Sequence, residues 1–227
     1  KPVLWDKEEI DITQSKEVEE KIAELQPLLI INVAAFTNVD ACETQRELAF
    51  AVNGYAVGHI AQAALRAGAV FVHYSTDYVF DGKSRAGYAE DAAPQNPANT
   101  YGASKFLGEQ KLHEAAKQGL KAYLVRTSWL FGKQGKNFVS TMLELAKTKK
   151  EITVVSDQYG KPTYAADLAA ATQKLVVGGY APGVYHLVNE PATTWYEFAC
   201  AIFEEYKKLH PEFNMPMVKP CSSVEFP

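Results

Sequence analysis

Four short runs rich in β-branched and aromatic residues, Leu28 to Ala35, Ala69 to Tyr74, Ala122 to Arg126 and Gly183 to Val188, are separated by longer stretches with helical spacing. Strands that run parallel need a crossover of about a dozen residues or more between them, and a helix is the usual one. The alternation therefore predicts an α/β protein built on a mostly parallel, doubly wound sheet. Helices are expected over Ser15 to Leu25, where Val18, Ile22 and Leu25 share a face, and over Gln45 to Ala67, which Gly68 would stop. Further helices are expected over Tyr101 to Lys117, Asn137 to Lys150, Ala165 to Val177 and Thr193 to Leu209. Gly82, Gly87, Pro94 and Pro97 mark Asp81 to Thr100 as a long loop, the kind of segment that shapes a site in an α/β domain. Pro2-Val3-Leu4-Trp5-Asp6 reads as one more strand, ending in an acidic residue and with no glycine-rich turn before it.

With 47% apolar residues among 227, the chain has material for a sizeable core. Twenty-three Lys and Arg against twenty-seven Asp and Glu leave a formal charge of -4, so no global positive field draws in nucleic acid or an anionic membrane. No apolar run approaches the roughly 18 residues needed to span a bilayer, and the start lacks the features of a signal peptide, which reads as a cytoplasmic protein. Cys42, Cys200 and Cys221 are odd in number and lack CxxC spacing, so reduced thiols are expected. His59, His73, His113, His186 and His210 show no ligand spacing, and no metal site is expected.

The sharpest chemical feature is Tyr101-Gly-Ala-Ser-Lys105, a phenol and an amine four residues apart at the start of a helix and so on one face. A phenol with a pKa of about 10 is a poor acid or base at neutral pH, and a neighbouring ammonium would lower that value. The pair alone is also what an ordinary exposed helix carries. Its context is the strand Ala69 to Tyr74, which ends in Ser75-Thr76-Asp77. Ligands of open α/β sheets bind at the carboxyl ends of strands, which would place Thr76 to hydrogen-bond a substrate oxygen beside Tyr101. The earlier strand ends in Ala34-Ala35-Phe36-Thr37, small residues against which a flat cofactor could lie and which equally suit helix packing.

Taken together, several segments resemble the extended short-chain dehydrogenase/reductases, and within them the branch that reduces dTDP-4-dehydro-L-rhamnose. They are Asp11-Ile12-Thr13, Asn32 to Thr37 with Val39-Asp40, Ser75 to Gly82, Asn99 to Lys105, Arg126-Thr127-Ser128-Trp129, Asn137-Phe138, Asp157 to Thr163 and Tyr185 to Val188, in order along nearly the whole chain. The resemblance implies a Rossmann-like fold and hydride transfer from NADPH or NADH to the C4 ketone of a dTDP-sugar. It makes Tyr101 the proton donor, Lys105 the holder of the nicotinamide ribose, and Thr76 a ligand of the sugar oxygen. Asp77 and Trp129 would contact the nucleotide-sugar. Asp6, Asp11, Ile12, Ala34, Ala35 and Thr37 would contact the dinucleotide. A carboxylate at Asp6 accepts from a ribose 2'-OH and repels a 2'-phosphate, a lean towards NADH that the neighbouring Lys7 could offset.

The resemblance further divides the chain into a dinucleotide-binding domain, 1–128 with about 152–180, and an interleaved substrate-binding region, 129–151 with 181–227. It places the glycine fingerprint and a C-terminal segment outside these 227 residues. A dehydratase of the same fold is disfavoured, because Asp77 is followed by Tyr78 where such enzymes carry Glu. An epimerase and a non-catalytic nucleotide-binding regulatory subunit remain as alternatives. The apolar face from Trp195 to Phe203 reads as core ahead of dimer interface, which leaves a homodimer open.

Overall fold

The computed structural model describes residues 2–226. In chain order its helices are α1 Ser15–Leu25, α2 Val39–Thr44, α3 Arg46–Phe50, α4 Ala56–Ala67, α5 Thr100–Lys117, α6 Phe138–Ala146, α7 Ala165–Val177 and α8 Trp195–Leu209. Its strands are β1 Leu29–Asn32, β2 Val70–Thr76, β3 Ala122–Thr127, β4 Leu130–Phe131, β5 Glu151–Val155, β6 Tyr159–Gly160, β7 Thr163–Tyr164, β8 Gly183–His186, β9 Thr193–Thr194 and β10 Met217–Cys221. They fall into two compact units, the chain up to Thr127 with Gly179–His186, and Ser128–Gly178 with Leu187 onward.

The first unit is a parallel sheet in the order β1-β2-β3-β8. Between β1 and β2 the chain crosses over through α2, α3 and α4, and between β2 and β3 through α5. Val18 and Ile22 of α1, Val57, Ile60, Ala61 and Ala64 of α4, Phe71 of β2, Leu112 and Ala115 of α5 and Leu124 of β3 form one buried cluster. The alanines matter here because small side chains let α4 lie close to its neighbours. A π turn, Ala51–Tyr55, joins α3 to α4. The 22-residue helical run Arg46–Ala67 is thus long and apolar enough to cross a membrane, where no run near that length was expected from the sequence. Half of it is buried inside the protein, as befits a core helix.

The second unit is built from short pairings: β5 with β10 and β4 with β7, both parallel, and β6 with β9, antiparallel. Capping boxes start α6, through Asn137 and Ser140, and α8, through Thr194 and Glu197. Met142, Ile152, Val154, Ala199, Ile202 and Phe203 are its core, so the apolar face of α8 is spent inside the unit.

Three expectations need correction. Residues 2–6 form no strand; Asp6 instead closes a turn, its carbonyl accepting from the Glu9 and Ile10 amides and its carboxylate from the Glu8 amide. A strand needs a ladder partner, and this segment has none among the described residues. The stretch 152–178 groups with the second unit rather than with the first, because β5 pairs with β10, while β8 joins the first unit through its ladder with β3. The helix from Asn137 stops at Ala146, where the Lys147, Thr148 and Lys149 amides close tight turns onto Glu144 and Leu145.

Candidate active site

The start of α5 is pinned from three sides. Asn99 caps it by accepting from the Gly102 amide at 2.8 Å, and Glu43 accepts from the Thr100 amide at 2.8 Å and from its hydroxyl at 2.6 Å. A Cβ on Gly102 would sit 2.1 Å from the Tyr78 carbonyl oxygen, so only glycine lets the helix approach the backbone that follows β2. Tyr101 is thereby set edge-on against the Tyr78 ring, 6.0 Å between centroids. Six residues on, Gly108 does the same against the π turn, where a Cβ would lie 2.3 Å from the Asn53 carbonyl oxygen.

At the carboxyl end of β2 the Thr76 hydroxyl donates to Asp77 Oδ1 at 3.1 Å and accepts from the Tyr78 amide at 3.3 Å. Burial pushes the Asp77 carboxyl above its ordinary value. Burial first, and the Asp77 charge second, push the Tyr101 phenol well above its ordinary value, while a side-chain hydrogen bond with Thr76 pulls the other way. Thr76, Asp77 and Tyr101 are thus brought together. The buried Lys105 side chain donates from Nζ to the Tyr74 carbonyl at 2.6 Å, and Nζ lies 3.4 Å from His73 Nε2. Burial lowers it to about 8, and the charge of Glu109 opposes that fall. The expected lowering of the phenol by this amine is not what the geometry delivers, because Lys105 is aimed at β2. A phenol held above its usual range keeps its proton at neutral pH but is the weaker acid for it, so this arrangement holds the proton in place without activating it.

Beneath this group lies an ion pair that spacing alone did not reveal. Glu109, one turn beyond Lys105, accepts from Arg126 Nε at 3.0 Å, from Arg126 Nη2 at 2.7 Å and from the Ser75 hydroxyl at 2.5 Å. Arg126 also lies over the Phe80 ring, 5.0 Å to its centroid, and 3.3 Å from His186 Nε2. Helix α5 is therefore clamped to β2 and β3 by buried, charge-assisted bonds.

The segment after β1 presents Ala34 and Thr37 exposed and Ala35 half-buried. Asn53, buried in the π turn, holds it by accepting from the Phe36 amide at 2.7 Å and donating to the Phe36 carbonyl at 2.9 Å, and it reaches Ser104 of α5 at 3.0 Å. Cys42 is a packed thiol below the same carbonyl. Thr127, opposite Thr76 in the sheet register, carries a buried hydroxyl without a hydrogen-bond partner. Asp6 and Asp11 occupy local turns instead, Asp11 held by the Thr13 amide and hydroxyl, while the Ile12 carbonyl faces His59. Of the residues missed from sequence, Asn53, His73 and Arg126 each interrupt an apolar run, whereas Glu109, between Gly108 and Gln110, carries no such signal.

In the second unit Trp129 takes a left-handed backbone, φ 45°, and stacks on Trp195 with 3.5 Å between ring centroids. Gly160 lies against its ring edge, where a Cβ would come within 2.2 Å. Gln158 accepts from the Trp195 indole at 3.3 Å.

The sequence pattern of the family described as RmlD substrate binding domain matches residues 2–227. The chain belongs to that family. Among its relatives, the spore coat polysaccharide biosynthesis protein SpsK of Bacillus subtilis is 45% identical over 199 residues, 88% of this chain and 68% of that protein. The dTDP-4-dehydrorhamnose reductase of Aggregatibacter actinomycetemcomitans is 40% identical over 224 residues, 96% of this chain and 75% of the relative. Among solved structures, a dTDP-4-dehydrorhamnose reductase from Bacillus anthracis in complex with NADP superposes with a TM-score of 0.89 at 43% identity, covering 98% of this chain and 76% of that one.

Proposed function

We propose that this chain reduces the C4 ketone of dTDP-4-dehydro-L-rhamnose to dTDP-L-rhamnose, using NADPH or NADH, with Tyr101 as the proton donor. The observation that carries this reading is the match to reductase relatives along nearly the whole chain, together with Thr76, Asp77, Tyr101 and Lys105 assembled at one sheet edge. A dinucleotide fits what that edge offers: small, open residues at Ala34 and Ala35, the amine of Lys105 and the orphaned hydroxyl of Thr127.

When bound, the reduced nicotinamide supplies the hydride. Tyr101, kept protonated by its surroundings, delivers its phenolic proton to the ketone oxygen as that oxygen gains charge. Thr76 holds the same oxygen, and Asp77 orients Thr76. Lys105 binds the nicotinamide ribose, Ala34, Ala35 and Thr37 line the dinucleotide, Asp11 and Ile12 meet the adenine, and Asp6 meets its ribose. Trp129 stacks on the sugar, with Asp77 as a further contact. The product serves glycan synthesis in the cytoplasm, in keeping with the polysaccharide role in the name of one relative. A homodimer remains part of the proposal, with an interface away from the core face of α8, and sedimentation tests it.

The deciding experiment mixes the protein, NADPH or NADH, and freshly generated dTDP-4-dehydro-L-rhamnose, and follows loss of the reduced-nicotinamide absorbance. Oxidation abolished in Tyr101→Phe supports the reductase. No oxidation with cofactor still bound hands the case to the epimerase or regulatory readings.

A further inference from the structure

His73 is fully buried in β2, between Asn32 of β1 and Lys105 of α5. Its Nδ1 lies 3.2 Å from Asn32 Nδ2, and its Nε2 lies 3.4 Å from Lys105 Nζ. The Asn32 carboxamide is oriented by a backbone group, because the Ala34 amide donates to Asn32 Oδ1 at 3.1 Å. A backbone N–H can only donate, so the oxygen faces Ala34 and the NH2 faces His73. His73 Nδ1 therefore accepts, and the single proton of the neutral ring sits on Nε2, pointing at Lys105. An ammonium carries donors alone and cannot receive that N–H. An amine can receive it through its lone pair while still donating to the Tyr74 carbonyl. The arrangement is that of an unprotonated Lys105.

We propose that His73 and Asn32 are positioning residues that couple the charge of Lys105 to the backbone amide of Ala34. When Lys105 becomes an ammonium, its new proton comes from His73 Nε2, and a solvent proton replaces it at Nδ1. One proton enters overall, the ring stays neutral, and Nε2 now accepts from the ammonium. Nδ1–H then opposes the Asn32 NH2, donor against donor. A half-turn of the carboxamide gives Nδ1–H an acceptor in Asn32 Oδ1 and turns the NH2 towards the Ala34 N–H, which loses its acceptor and must turn away to find another. Resting on the reading of Lys105 and Ala34 as dinucleotide contacts, this means the charged state offers a ligand both an ammonium and a free amide.

The surroundings permit both states. On Lys105, burial favours the amine and Glu109 of the same helix favours the ammonium, with Arg126 of β3 matching the Glu109 charge and His73 and the Tyr74 carbonyl facing it from β2. Lys105 changes charge at about 8, close enough to neutrality for both forms to be populated. On His73, burial and the Lys105 charge keep the ring from becoming an imidazolium.

Two-bond proton–nitrogen correlations of the His73 ring in the full-length, nitrogen-15-labelled chain test this directly. The expected result is the Nε2–H tautomer well above pH 8 and the Nδ1–H tautomer well below it, with the Ala34 amide resonance moving at the same midpoint. One tautomer throughout, or an imidazolium at the lower pH, overturns the proposal. Asn32→Asp supplies a second test, because a carboxylate accepts from Nδ1–H and from Ala34 together. It should lock the Nδ1–H tautomer, raise the Lys105 midpoint by about one unit or more, and abolish the Ala34 shift. A merely structural Asn32 would leave midpoint and tautomer unchanged, which also overturns it. Neither readout needs turnover, so failure of the reductase reading would show in the NADPH assay and leave these spectra standing.

Discussion

Around α5 the first unit buries charge, and around α8 the second packs half-buried rings. Lys105, Glu109 and Arg126 lie inside the first with donors and acceptors supplied by Ser75, Tyr74, His73 and His186. In the second, Trp129 stacks on Trp195 and Phe138 on Phe198, Phe138 lies tilted against Trp195, and the indole of Trp195 bonds Gln158. A buried charge that loses one partner leaves the other paying its full desolvation cost, whereas a ring that loses a neighbour forfeits only contact area. The first region should therefore be intolerant of single changes and tuned to pH, and the second graded in its response.

The largest effect expected is catalytic. Tyr101→Phe removes only a hydroxyl at a site already ordered by Asn99, Gly102 and Glu43, so turnover should fall by about 10²–10⁴-fold while the melting temperature hardly moves. Unchanged turnover would remove Tyr101 as the donor. Next comes Glu109→Ala, which strands Arg126 in the interior and should cost about 3–5 kcal/mol by denaturant titration. The double change Glu109→Leu with Arg126→Met should recover much of that loss, because it removes both charges; a double variant no better than the single one would break the comparison on the charged side.

In the second unit Trp195→Ala should cost about 2 kcal/mol, less than a fully buried ring would, because Trp195 is only half-buried. A loss as large as that of Glu109→Ala would show that the aromatic cluster is as brittle as the ion pair. The pH response separates the units in another way. Lys105 falls from 10.5 when unfolded to about 8 when folded, so between those values the unfolded chain binds more protons and stability climbs with pH, by at most about 1.4 kcal/mol per unit. Below 8 both states are protonated and the contribution is flat. Above about 10 the raised Tyr101 phenol acts in the opposite sense and caps the climb. Urea titrations across this range should show the climb in the unaltered chain and lose it in Lys105→Met.

The same contrast explains what the sequence made legible. Helices α1 and α7 end where apolar spacing and flanking residues place them, and β2 and β3 announce themselves as apolar runs, because these signals are local. Strands β5 and β10 are hidden: each is stabilised by the other across more than sixty residues, and Pro220 sits inside β10 where a ladder is not expected. Tyr101, Lys105 and Thr76 are visible as a spacing and a strand end. Glu109, Arg126, His73 and Asn53 become partners only when α5 lies on the sheet, so no spacing reports them. Even the Tyr101–Lys105 pair, correct as a helix face, was misleading in its electrostatics, since the Tyr74 carbonyl that claims the amine lies on another element.

The smallest effects expected compare two left-handed residues, one in each unit. Gln26 ends α1 at φ 48° and Trp129 stands at φ 45°, both in a region that costs an L-residue about 1–2 kcal/mol. The Gln26 side chain sets against that cost an exposed bond from its amide to the Ala23 carbonyl, while the backbone bond to Ile22 would survive in glycine. Gln26→Gly should therefore stabilise the chain, by about 0.5 kcal/mol once the lost bond is counted. Trp129→Gly relieves the same backbone strain and forfeits the stack on Trp195, so the sign should reverse and the variant lose about 1 kcal/mol or more. Thermal unfolding of the two variants side by side isolates the term that differs. Equal gains in both would mean that the ring stack does not hold Trp129 in its strained backbone, and the second unit would then owe less to its aromatic cluster than its geometry indicates.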